Sequence, residues 1–379
     1  MDDSGSEDPS GSGEMAERLA IGLITWAFPA GHVDLVLAAT GRTQQRKRLL
    51  PARVVVYFVL ALCLFPSLKY ERVARLLSQG LIWGLGRPTD CPVPTAAALS
   101  RARARLGPEP LRALFAARGA ALPILPAFRG YRVLAVDSTG FAVPDSEENL
   151  RHLGSVGSRD VGVELPRVMV TVLGEHLSRM PIAAVIGGAA GGGTPSLLPF
   201  LGHAGDGDLV LADVETIGAR SWCAARERGA HLLWRVSMTA ELPCHAVYPD
   251  GSYRSVLDDA GSCAEGDGAL AVPVRVVESE VIGVPVRLIT SLLDPAEAPA
   301  KELIALHGSR WRFSQTLAEL TRGGDGAEPV LRARTVAGVE QEIWGLLMLH
   351  QAISGLLRPA TAGLAVPTNV EMPMRGRAS

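Results

Sequence analysis

A chain of 379 residues, 47% of them hydrophobic and 20% charged, has the composition of a globular protein with room for two or three domains, which rules out wholesale disorder. Five widely spread cysteines with no C-x-x-C pair argue against a disulfide framework or a zinc site and suit a reducing cytoplasm. The net charge of −2 hides an asymmetry: from Gly41 to Arg132 stand 16 Lys or Arg against three acids (Glu71, Asp90, Glu109), so this block carries +13 and the rest −15. A block of this kind fits the electrostatic footprint of a nucleic-acid surface, and equally a set of solvated helix faces.

Residues 1–14 are polar, acidic and rich in Ser and Gly, the composition of a disordered tail and the reverse of a signal peptide. Helical spacing of apolar residues then predicts helices over AERLAIGLITWAF, over Val54–Leu64 behind Pro51, and over YERVARLLSQGLIWGL. The longest apolar run, Val54 to Phe65, is about half of what a bilayer crossing needs, so no membrane partner is expected. PTAAALSRARARLGPEPLRALFAARGAAL reads as two short helices joined at Gly107-Pro108, with Arg101, Arg103 and Arg105 just before the turn. The pattern fits a helix-turn-helix whose arginines meet DNA, and it also fits a surface helical hairpin.

At Tyr131 the period changes to that of strands. YRVLAVD (131–137), RVMVTVLGE (167–175) and RMPIAAVIG (179–187) are short β-branched runs, followed by a short helix within 195–203 and by DLVLAD (208–213). Helix SWCAARERGA and strand HLLWRVS follow, then a strand-and-loop region over 240–280, strand PVRLITSLL, a long helix over PAKELIALHGSRWRFSQTLAELTR, and a last apolar helix from about Val336 to Leu357. The first and fourth strands of this β-β-β-α-β unit each end in an aspartate, Asp137 and Asp213. In a ribonuclease-H-like sheet those strands are neighbours, and two carboxylates brought together repel unless a cation lies between them. Hard oxygen ligands select Mg2+ or Mn2+, and a pair of such ions about 4 Å apart supports phosphoryl transfer on nucleic acid.

These residues resemble the DDE transposases of the insertion-sequence-four group, bacterial cut-and-paste enzymes, over roughly residues 15–357. AVDSTGFAVPDSEENLRHLG is similar to the family's first-aspartate motif and LVLADVETIGARSWCAARERGAHLLWRV to its second. Leu19, Trp26, Phe28, Pro29, the Val54–Phe65 run and the arginine-rich hairpin resemble its helical DNA-binding region. DGSYRSVL, PVRLITSLLDP and the closing VEQEIWGLLMLHQAI are also family-like. The resemblance implies an α+β fold: a disordered acidic tail (1–14), a helical DNA-binding domain (15–130), a ribonuclease-H-like core in two parts (131–239 and 285–358), a β-rich insertion (240–284) and a tail (359–379). It implies catalytic, metal-binding Asp137 and Asp213, a two-metal Mg2+ or Mn2+ site, and DNA contacts through Arg101, Arg103, Arg105 and Arg310; Arg310 reads almost equally as a salt-bridge partner of the core's own carboxylates. Double-stranded DNA (terminal inverted repeats and target) is the partner it implies, with a homodimer on DNA ends and a cytoplasmic, nucleoid-associated bacterial protein.

The third signature of that group, Y-x2-R-x3-E-x6-K, reads His307, Arg310, Ser314 and Thr321. Only the arginine is kept. The third-acid position is therefore Ser314, and Glu319, five residues on, is turned well off that helix face and makes a poor substitute. A neutral hydroxyl cannot supply a carboxylate's charge to two divalent ions, so two functions follow: a DNA-cutting transposase, or a decayed or repurposed DNA-binding copy without cleavage. His307 and His350 read as packed or surface histidines rather than metal ligands, GGAAGGG (187–193) lacks the Lys and Ser/Thr of a phosphate loop, and Trp234, Trp311 and Trp344 read as core.

Overall fold

The structure is a computed structural model and describes residues 9–43, 50–85, 93–120, 126–154, 165–188, 198–213, 219–257, 272–310, 315 and 330–361. Six helices come first: α1 (Pro9–Ala27), α2 (Ala30–Ala39), α3 (Ala52–Leu64), α4 (Tyr70–Leu85), α5 (Ala96–Leu106) and α6 (Glu109–Ala120). α1 begins at Pro9, inside the stretch whose composition predicts a tail. α3 is apolar on every side because it is central: each residue from Val54 to Cys63 is buried. Thr95 caps α5 by accepting from Ala98 N at 3.3 Å. Gly107, at φ +69, breaks the chain between α5 and α6 at the Gly-Pro pair where the turn is expected.

The strands are β1 (Arg132–Ala142), β2 (Arg167–Glu175), β3 (Met180–Gly188), β4 (Asp208–Asp213), β5 (His231–Val236), β6 (Ala246–Val247), β7 (Tyr253–Leu257), β8 (Val272–Val281) and β9 (Val284–Thr290). They form one nine-stranded mixed sheet in the order β3-β2-β1-β4-β5-β9-β8-β7-β6. β1, β2 and β3 are antiparallel neighbours, β1, β4 and β5 run parallel, and β9 returns antiparallel to β5. The strands of the expected insertion, β6 to β8, continue this same sheet through β9. Between strands lie α7 (Glu147–Leu153), a short 3-10 helix (Leu198–His203) and α8 (Ala219–Glu227); after them come α9 (Ala300–Gly308) and α10 (Val336–Thr361).

One face of the sheet, with Leu134, Val136, Val210, Ala212, Leu232 and Trp234, packs under Phe200 and α8's Trp222. The other face is covered in two parts. α9 lies over Val133, Ala135, Leu209 and Leu211. The helices of the first 120 residues, closed by α10, cover Phe141, Val168, Val170 and Val172. α10 is held within that bundle by Cys63, whose Sγ lies 3.4 Å from Glu342 O, and by the tilted Phe115–Trp344 ring pair at 5.3 Å. No single helix among the described residues is long and apolar enough to cross a membrane.

The helix expected to run unbroken from PAKELIALHG into SRWRFSQTLAELTR is interrupted after Gly308; of residues 311–329 only Gln315 is described, and it is helical. α9 ends at Gly308, Ser309 Oγ turns back onto Leu306 O at 3.0 Å, and Arg310 lies past the helix end. A glycine there carries helix propensity about 1 kcal/mol worse than alanine, and the hydroxyl supplies the competing local bond.

Candidate active site

β1 and β4 are paired in parallel up to Ala135 opposite Leu211, and two residues further along each strand stand Asp137 and Asp213. Side chains alternate along a strand, so both carboxylates leave the face that carries Val133, Ala135, Leu209 and Leu211. They sit at the carboxyl ends of neighbouring strands, at the seam where the α9 cover gives way to the helical cover: Asp137 is opposite Val172, which already belongs to the helical core. Because both faces of β1 and β4 are apolar there, the parity of each aspartate with Val133, Ala135, Leu209 and Leu211 is what puts it on this face, and a slip of one residue would carry it to the other.

Asp137 is half-buried, and its Oδ1 accepts from Ser138 N at 3.0 Å. Asp213 is held from the end of α9. Arg310 Nη2 pairs with its Oδ2, and His307 Nε2 stands 3.2 Å from its Oδ1. The His307 contact is close but is not aligned as a hydrogen bond, so Oδ1 is a buried acceptor with no donor. Burial pushes the Asp213 carboxyl upward; the His307 contact, the Arg310 charge and the Arg235 charge on the next strand outweigh it and hold the carboxyl below its ordinary range. Burial likewise pushes the His307 imidazole down, more than Asp213 raises it, so the ring is uncharged at neutral pH. The positive charge answering Asp213 is therefore that of Arg310, whose side chain is 9% exposed.

The expected site residues divide into three groups. Asp137 and Asp213 stand at the same end of adjacent strands, and Arg310 pairs with the Asp213 carboxylate. Ser314, Glu319, Thr321 and Trp311, and Val214 to Thr216 after the second aspartate, lie outside the described residues. The three arginines of α5 part company: Arg101 and Arg105 are exposed, whereas Arg103 is 5% exposed and is not a surface residue. Arg103 Nε donates to Gln341 Oε1 at 3.1 Å, Nη2 to Glu342 Oε1 at 3.0 Å and to Gly338 O at 3.2 Å, and Nη1 to the Tyr70 hydroxyl. The expected DNA contact is thus a buried bond between α5 and α10. His307, read from sequence as ordinary packing, is a buried partner of Asp213; its signal was that it stands where the signature motif has its tyrosine, three residues before Arg310.

For a divalent cation the donor set would be two carboxylates from adjacent strands, one of whose oxygens, Asp213 Oδ1, has no hydrogen-bond partner; oxygen donors of this kind suit a hard ion such as Mg2+. Among the described residues no group of three His, Cys, Asp or Glu side chains gathers to hold a metal. The residues fit a two-carboxylate seat.

The family model for the insertion element 4 transposase N-terminal region matches residues 18–116, the helical region. Transposase InsG for insertion sequence element IS4, from Escherichia coli strain K12, is 24% identical over 332 residues, which cover 85% of this chain and 73% of that one. Among solved structures, the piggyBac transposase synaptic complex with hairpin DNA superposes with a TM-score of 0.43 at 10% identity, over 90% of this chain and 72% of that one. Both sequence matches are to transposases, which is the class of protein this chain resembles. They agree on the type as well: together they support an IS4-type transposase.

Proposed function

We propose that this protein is a DNA transposase of the insertion-sequence-four type, binding terminal inverted repeats through residues 15–130 and acting on DNA strands at a ribonuclease-H-like core. The observation that carries this reading is the strand order 3-2-1-4-5 with Asp137 and Asp213 in register at the carboxyl ends of its adjacent parallel strands. Asp137 and Asp213 are the residues that would hold Mg2+ or Mn2+, whose bound form polarises a phosphodiester and activates an attacking hydroxyl. Arg310 keeps Asp213 ionised, and Arg101 and Arg105 offer exposed cations to duplex phosphates. Two copies on paired DNA ends, in the cytoplasm, complete the proposal.

A second reading has its own support: a decayed or repurposed transposase that binds DNA without cutting it. Asp213 is already neutralised by Arg310, and the third-acid position reads Ser314. Metal-dependent nicking of the element's terminal repeats separates the two. The chain as it stands, Ser314→Glu and Glu319→Ala are compared in one assay. Cutting by the natural chain that vanishes in Glu319→Ala assigns the third acid to Glu319 and an active enzyme. No cutting by the natural chain, with any gain in Ser314→Glu, assigns the second reading. Asp137→Asn must abolish whatever nicking exists; nicking that survives it refutes the site.

A further inference from the structure

α9 has no cap of its own. The residue before it is Pro299, which offers no side-chain acceptor, so the N–H of Ala300 would be orphaned at the buried start of the helix. The acceptor comes from 50 residues upstream: Asp250 Oδ2 takes the Ala300 N–H at 3.0 Å. Asp250 belongs to the Pro249-Asp250-Gly251 turn between β6 and β7, closed by Tyr248 N on Ser252 O at 2.8 Å with Gly251 at φ +82. Such a turn ordinarily faces water, and here it folds against the start of α9. Its Asp250 Oδ1 accepts from the Ser252 hydroxyl at 2.6 Å, and Oδ2 also pairs with Arg275 Nη2.

Arg275, on β8, completes the joint. It is 0% exposed and lies on the same sheet face as Val277, which is part of the core beneath α9. Its Nε donates to Ser252 Oγ at 2.7 Å and its Nη1 to Ala298 O at 2.6 Å. A guanidinium at that depth is tolerated because all three of its nitrogens are answered. The backbone groups on either side of Pro299, Ala298 O and Ala300 N, are thus both held by one ion pair from the expected insertion.

The other end of α9 is the candidate active site. Ala300 and His307 are seven residues apart, about 10 Å along a short helix that moves as one rod. His307 stands 3.2 Å from Asp213 Oδ1, and Arg310 pairs with Oδ2 just past the helix end. β4 places the carboxylate, and the start of α9 sets where its two partners arrive. We propose, on the reading of Asp213 as a working acid, that Asp250 and Arg275 are positioning residues for this site. By fixing the start of α9 they fix how His307 and Arg310 meet Asp213, which makes the insertion and the carboxylate seat one mechanical unit. The Asp-Gly-Ser of DGSYRSVL thereby acquires a task.

The full chain, labelled with nitrogen-15 at histidine, tests this through the His307 ring, whose signals are assigned with His307→Gln. Asp250→Ala should shift or broaden them and leave those of His231, whose ring lies against Tyr131 and Ser291. Asp250→Asn keeps an oxygen for the Ala300 N–H and should return the His307 signals most of the way. Thr95→Ala, the loss of a similar cap on α5, should not move them. If Arg275 left without its partner prevents folding, Asp250→Ala with Arg275→Met leaves no charge in the core and should show the same His307 shift. Urea unfolding gives a second measure. Sites about 10 Å apart with no common partner usually act additively, whereas Asp250→Ala combined with Arg310→Gln should raise the unfolding constant at least about tenfold less than the product of the single changes. Neither measure needs metal or cutting, so a chain that never nicks DNA leaves this test intact. Unchanged His307 signals in folded Asp250→Ala or its paired variant, or additive effects with Arg310→Gln, would overturn the proposal.

Discussion

Replacing Arg103 with alanine removes four hydrogen bonds and leaves Glu342 buried without its counter-charge. Both side chains of this pair are 6% exposed, so solvent cannot take over the lost partner. Glu342 keeps the backbone N–H of Arg332 at 2.7 Å, and Gln341 keeps the carbonyls of Arg103 and Gly107, so the damage is confined to the charge and not spread through the loop. Breaking a buried pair from one side costs about 3–5 kcal/mol. Arg103→Ala should therefore lower the unfolding free energy from urea titrations, followed by tryptophan fluorescence, by that amount with the slope unchanged. Arg103→Met combined with Glu342→Leu should recover most of the loss, because neither charge is then left in the core. DNA affinity measured well below the unfolding temperature should be nearly untouched. Full stability in Arg103→Ala together with weakened DNA binding would refute the buried-lock reading and return Arg103 to the DNA surface.

Arg101→Glu and Arg105→Glu should leave stability within about 0.5 kcal/mol, since both residues are exposed, while each lowers the slope of log affinity against log salt by about one. Burial pushes the His350 imidazole down to about 4 from its ordinary 6.5. The unfolded chain then takes up a proton that the folded chain refuses, so stability is full above about pH 6.5 and falls as pH drops toward 4, by about 3 kcal/mol in all; His350→Gln should flatten that stretch of the stability–pH curve. A Cβ at Gly119 would stand 2.6 Å from the backbone oxygen of Ile182, whereas one at Gly22 meets nothing. Gly119→Ala should cost about 1–3 kcal/mol by forcing α6 off β3, and Gly22→Ala should gain up to about 1 kcal/mol of helix propensity; equal midpoints for the two would contradict the packing.

The elements most legible in the sequence are those with one clean signal. DLVLAD is a continuous apolar run because β4 is buried on both faces, and it ends at Asp213 where the burial ends. α4 runs over Tyr70–Leu85, as its three- and four-residue spacing requires. Arg103 was legible too, had the helix been turned: at 100° per residue Arg101 and Arg105 share a face, and the arginine between them must point away from both, toward the core. The end of α9 was less so, since its apolar spacing carries on past Gly308 and the Ser309 bond back to Leu306 O that ends the helix is visible only in the structure. That β6 to β9 join the core sheet could not be read at all, because the pairing that joins them, β5 with β9, links residues more than 50 apart and leaves no periodic trace in the chain.

The closing of the first six helices by α10 has a consequence for how the protein is made. α3 is an apolar rod whose last wall, at Cys63 and Val59, is Gly345 of α10. On the ribosome, more than 270 residues separate Leu64 from the start of α10 at Val336, a delay of roughly 15–50 s at ordinary elongation rates. Through that interval the nascent helical region has one side open and depends on chaperones or on its own loose collapse. A message cut short before codon 336 would yield a chain with its basic surface present and its core unsealed. Closure of the helical region is thereby postponed until translation is almost complete, and chains truncated before α10 are expected in inclusion bodies.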